Sequence, residues 1–179
     1  MAKLMFSGKM VSDQIDAYVT NGVAAANLND GDLVALGNLV ADTTYAETGD
    51  VQYDLYTAAY PAAATDEVGI IDYAGISEGT IMDNQYKIGK KLYGLTVPAG
   101  TNFRVRRLAL HDKFYLGGDN FASVPTVGQF AKATAAAGTL TPAAEKPASG
   151  LAVKVQAVKD LTTGMRAQGK IYLVEVVQL

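Results

Sequence analysis

Between Leu151 and Ala157 the chain alternates. Leu151, Val153, Val155 and Ala157 fall on one parity, Lys154 and Gln156 on the other. A period of two belongs to an extended strand with one covered and one solvated face, because successive side chains of a strand point to opposite sides. A helix would repeat its apolar positions every three to four residues. Downstream, Lys170 to Leu179 (KIYLVEVVQL) is apolar on both parities except at Glu175, which suits a strand covered on both faces. Asp160 to Gly169 lies between them as a turn region, so the two strands form a hairpin.

The same signal recurs upstream in shorter pieces. Asp32 to Ala41 is apolar on both parities and is interrupted at Gly37-Asn38, as a bulge or a hairpin turn. Val51, Tyr53 and Leu55 alternate with polar neighbours, Glu67 to Ala74 is short and apolar, and Lys91 to Val97 is β-like up to the Pro98-Ala99-Gly100 turn. Phe103 and Val105 share one parity, Leu108 and Leu110 the other; the slip at Arg106-Arg107 predicts a β-bulge. Phe114 to Leu116 runs into the turn Gly117-Gly118-Asp119-Asn120, and Val127 to Ala133 reads as a further strand. Residues 135–150, with Pro142 and Pro147, read as a low-complexity surface loop. Residues 1–29 hold few large apolar side chains and read as an extended N-terminal arm, with short strands at most over Lys3 to Phe6 and Asp16 to Thr20 and a turn at Asn21-Gly22. The expectation is an all-β sandwich or barrel of about eight to ten short strands, residues 30–179, preceded by that arm.

Composition narrows the function classes. There are no cysteines, so disulfides and thiolate metal sites are excluded. Charged residues make up 18%, below the usual quarter, and the net charge is −3, which argues against a nucleic-acid partner. No apolar run approaches the ~20 residues that span a bilayer, so no membrane partner is expected. The first residues, MAKLMFSGKMVSDQ, lack the apolar region and cleavage site of a secretion signal, and assembly in a cytoplasm is the expectation.

Candidate chemistry is sparse. His111 is the single histidine, beside Asp112 at a strand end, and no G-x-S-x-G elbow accompanies it. Gly8-Lys9 and Gly89-Lys90 both lack the rest of a phosphate loop. The carboxylate pairs Asp30 with Asp32, Glu47 with Asp50 and Asp66 with Glu67 are sequence neighbours in turns, where such groups bond to nearby backbone. Asn27 to Asp32 echoes a calcium loop without its distal glutamate. No catalytic residue, metal site or cofactor is expected. Arg104, Arg106 and Arg107, with Lys113 nearby, read either as a solvated strand face or as a patch for a partner's carboxylates, since arginine pairs bidentately. Ten tyrosines without a tryptophan suit half-buried sheet surface or an interface.

Three stretches carry a resemblance. They are Asp30-Gly31-Asp32-Leu33-Val34-Ala35-Leu36-Gly37; Phe103–Leu110 running through His111-Asp112-Lys113-Phe114 and the Asp119 turn to Pro125-Thr126-Val127-Gly128-Gln129-Phe130; and the Leu151–Val158 and Lys170–Val177 pair. In these the chain resembles the head decoration, or cement, proteins of tailed bacteriophages. The resemblance implies a non-enzymatic virion protein on the capsid surface. Such a protein bridges neighbouring copies of the major capsid protein and contacts copies of itself; a trimer is common among such proteins. Lys3, Phe6, Lys9 and Tyr18 of the arm, with Arg104, Arg106 and Arg107, are then the candidate partner contacts. Another virion component (tail, adaptor or fibre-base protein) and a carbohydrate-binding β-domain are the alternatives.

Overall fold

A computed structural model describes residues 4–13, 15–40, 55–73, 96–163 and 166–179. They form an all-β structure. Its strands are β1 (Leu4–Lys9), β2 (Val19–Ala24), β3 (Leu28–Asn29), β4 (Leu33–Leu39), β5 (Leu55–Ala59), β6 (Gly69–Asp72), β7 (Thr96–Val97), β8 (Asn102–Arg107), β9 (Lys113–Gly117), β10 (Phe130–Ala133), β11 (Leu140–Ala143), β12 (Ala152–Thr163) and β13 (Arg166–Gln178). A six-stranded sheet runs in the order β1-β9-β13-β12-β10-β11, a closed barrel in the order β2-β5-β4-β6-β8, and β3 pairs with β7. Among the described residues no helix is long and apolar enough to cross a membrane.

Adjacent residues of the barrel strands serve two cores. Leu33 and Ile70 join a cluster with Phe114, Val153, Val155, Val174 and Val176 between barrel and sheet. Their neighbours Val34 and Ile71 point inward, with Phe103 and Val105, and fill the barrel. This explains why β6 and the start of β4 are apolar on both parities: they are covered on both sides, whereas β4 is exposed from Gly37 to Leu39. Full burial of each such side chain is worth about 1.5–3 kcal/mol.

The C-terminal hairpin forms, with β12 and β13 antiparallel, but Asp160–Gly169 is not the turn region expected of it: the two strands stay paired through that stretch as far as Thr163↔Arg166. The interruption at Gly37-Asn38 is a bulge: β4 and β5 pair at Leu36 with Ala58 and again at Leu39 with Tyr56, so β4 carries an extra residue.

Three further expectations are corrected. Residues 1–29 do not form a free arm where they are described. β1 pairs with β9, β2 lies between β5 and β8, and Met10, Ala24 and Leu28 are buried. Small side chains belong there because the barrel is narrow: a Cβ on Gly22 would meet Ala58, Phe103 and Val105 at 3.0–3.1 Å. No bulge occurs at Arg106-Arg107. β8 keeps unbroken register with β6 from Asp72↔Arg104 to Gly69↔Arg107, then ends in a turn held by Asp112 N–H donating to the Ala109 carbonyl. The parity slip reflects the end of the strand. Residues 135–150 are not loop throughout, since β11 pairs with β10 from Ala133↔Leu140 to Phe130↔Ala143. Pro142 is tolerated because β11 is the last strand of its sheet.

Candidate functional site

The arginine cluster is divided by the fold. Asp72 stands opposite Arg104, and Ile70 opposite Arg106, so all four share one side of the barrel wall. Arg106 is buried. Its Nε donates to Asp72 Oδ2 at 2.8 Å and its Nη1 to the Ser12 carbonyl at 2.9 Å. It therefore ties the turn before β2 to β6 and is not a partner contact, as the sequence had suggested. An arginine whose charge is balanced and whose donors are engaged can be buried there. Arg104 remains exposed, 3.8 Å from Asp72. Arg107 is also exposed and lies 3.8 Å from Glu67, which is itself almost fully solvated.

Of the other candidate contacts, Lys9 is exposed and lies opposite Lys113. Tyr18 is half-buried just before β2. Phe6 stands opposite Phe114 in β1, and Lys3 lies outside the described residues.

His111 and Asp112 do not form a catalytic pair. Asp112 is buried, and its two oxygens accept the amides of Val11 and Ala109, each at 2.8 Å. His111 has a left-handed backbone (φ 71°) and donates its amide to the Val176 carbonyl. Its ring Nδ1 lies 3.2 Å from Glu175 Oε1, and Lys113 Nζ is 3.3 Å from Oε2. Gln156 Nε2 also donates to Oε2, at 2.7 Å. The contact with His111, followed by those with Lys113, holds the Glu175 carboxyl below its ordinary range.

The carboxylates of the Asp30-Gly31-Asp32 turn are likewise committed to the fold. Asp30 Oδ1 accepts the Tyr73 amide at 3.1 Å. Asp32 accepts from Asn120 Nδ2 at 2.9 Å, from Tyr60 Oη at 2.9 Å and from Asn29 Nδ2 at 3.2 Å. Asn120 Nδ2 also donates to the Asp30 carbonyl at 3.0 Å. Burial raises the Asp32 carboxyl above its ordinary value, and the three donors oppose that rise. Burial and the Asp32 charge together push the Tyr60 hydroxyl upward. A cation at this turn would have to displace those donors, so it is built as a strut and not as a calcium loop. Tyr60 and Asn120 carry no local sequence signal for this role, because the fold brings them in from 28 and 88 residues away.

Asp66 accepts the Ala63 amide at 2.9 Å, the turn bond expected of it; Glu47 and Asp50 lie outside the described residues. Among the described residues no three His, Cys, Asp or Glu side chains are grouped to hold a metal ion. Two adjoining cavities, of about 370 and 210 Å³, share Glu67, Val68 and Arg107 in their walls. The larger has a partly apolar lining that includes Leu108, Leu151 and Leu179. The side-chain networks at these positions hold strands and turns in place. Comparison with protein-family models, with curated proteins and with solved structures finds no match to this chain.

Proposed function

We propose that this chain is a structural virion protein that binds the outer surface of a tailed-bacteriophage capsid and reinforces contacts between major capsid subunits. The reading rests on the resemblance carried by Asp30–Gly37, Phe103–Phe130 and Leu151–Val177. The observation that supports it best is the use made of the chemistry in those same stretches. Asp32, Arg106, Asp112 and Glu175 are each engaged with partners within the chain, so what the stretches offer outward is surface for contact. A shell protein gains from many modest contacts repeated by symmetry, and linked contacts reinforce one another through effective concentration. The test is to mix purified protein with undecorated capsids and image the particles. Stoichiometric density on the capsid exterior is the expected result, and bare capsids at saturating protein reject the reading. Quantifying the chain against the major capsid protein in virions separates a decoration protein, present in many copies, from a tail or adaptor component.

A further inference from the structure

Cross-strand partners in a sheet share a face, so the register of the six-stranded sheet assigns its side chains to the core or to the outside. One row runs across five strands, from Lys9 through Lys113, Glu175 and Lys154 to Phe130, each directly opposite the next. The rows on either side of it, Phe114-Val174-Val155 and Val176-Val153-Ala131, are in the core, so the first row faces outward. Two residues along β10 and β9 the same side adds Lys132 and Tyr115. Lys159 belongs there too, with its Nζ 5.1 Å from the centre of the Tyr115 ring.

Among the described residues this face therefore holds five lysines and one carboxylate. Lys9, Lys132 and Lys159 are exposed, and Lys113 and Lys154 are half-buried. The single carboxylate, Glu175, is engaged by His111, Lys113 and Gln156. Six strands at a spacing of about 4.8 Å make the face roughly 24 Å wide. The net charge is −3, so the rest of the molecule is more acidic still and the charge separation is steep.

We propose that the outer face of the six-stranded sheet is the docking face for an acidic protein surface, with Lys9, Lys113, Lys132, Lys154 and Lys159 meeting aspartate and glutamate side chains of the partner. The identification of that partner with a capsid rests on the proposed function; the charge complementarity stands apart from it. A protein surface fits better than single-stranded nucleic acid, because binding of the latter needs open aromatic faces on which bases stack. Both rings on this face are already covered, Tyr115 by Lys159 and Phe130 by Lys154 at 5.8 Å.

The test titrates the full chain with poly-L-glutamate at low salt, followed by amide NMR, and runs the same titration with a single-stranded DNA oligonucleotide of equal charge. Saturable shifts confined to Lys9 and to residues 113–115, 130–132, 154–159 and 171–175 are expected. The K132Q/K154Q/K159Q variant should bind about tenfold more weakly, the sum of three modest ion pairs. An R104Q/K146Q variant should bind as the parent does, and salt should weaken binding throughout. No saturable binding, shifts centred on Arg104 and Arg107, equal affinity in the triple variant, or tighter binding of the DNA would each overturn the proposal. Undecorated capsids then separate the two readings. If the triple variant coats them as fully as the parent, this face is rejected and the capsid reading survives. If the parent binds poly-L-glutamate through this face but ignores capsids, the reverse holds.

Discussion

Asp32 shows how a buried charge is accommodated in this protein. Its carboxylate is 1% exposed and accepts three side-chain hydrogen bonds, from Tyr60, Asn120 and Asn29. Asp32→Asn would turn an amide NH₂ toward one of those donors and leave a buried polar group unsatisfied, at a cost of about 1–3 kcal/mol. Urea denaturation at neutral pH should show that loss, and an unchanged midpoint would mean that the network contributes little. Asp32 and Glu175 also titrate in opposite directions. The Asp32 carboxyl should titrate above 3.8 and that of Glu175 below 4.5, as read from carboxyl ¹³C shifts. The signs for stability follow by linkage. Glu175, lowered in the folded state, contributes stability above its unfolded value that is lost as pH falls through the folded one. Asp32, raised, favours the fold at low pH and loses that contribution as pH rises through its folded value. Replacing Glu175 with Gln should accordingly flatten the acid limb of the stability curve.

Among the elements, the strands with regular alternation were legible in the sequence. β12 and β13 are continuous runs whose side chains report the faces they meet, and β6 and the start of β4 announce two-sided cover by being apolar on both parities. In the N-terminal region a short strand was legible near β1, but β2 was not: a narrow barrel selects small residues such as Gly22 and Ala24, and these resemble a turn in an unstructured arm. Arg106 was misread for a related reason: a buried arginine and a solvated one look alike until Asp72 and Ser12 are brought to it from other elements. Two predictions belong at this scale. Deleting residues 1–9 removes β1 and uncovers the edge of β9. The truncated protein should melt several degrees lower, at about 2–4 °C per kcal/mol for a chain of this size. A melting temperature equal to the parent's would restore the free-arm reading. The low-complexity segment is pinned at Gly138, whose backbone is left-handed (φ 64°), whose carbonyl accepts the Leu33 amide at 2.7 Å, and whose Cβ position is filled by the Tyr60 ring. Gly138→Ala combines backbone strain with that collision and should cost at least 1 kcal/mol in chemical denaturation.

For the whole molecule, the two cores share their dividing wall. Ile70 and Ile71 are consecutive, both fully buried, yet Ile70 packs between the layers and Ile71 inside the barrel. β4 divides Leu33 and Val34 in the same way. A wall whose consecutive residues Leu33-Val34 and Ile70-Ile71 enter different cores cannot open there on one side while its backbone stays in place for the other. Barrel and six-stranded sheet should therefore unfold together, in one calorimetric transition whose enthalpy matches the van't Hoff value. Adjacent substitutions test this directly. Ile70→Ala and Ile71→Ala each remove a buried side chain and should each cost about 2–5 kcal/mol. If the wall couples the cores, both variants shift the whole of that single transition downward, although one cavity lies between the layers and the other inside the barrel. Two transitions, of which Ile71→Ala lowers only one, would show that the barrel folds on its own and that the shared wall does not bind it to the sheet.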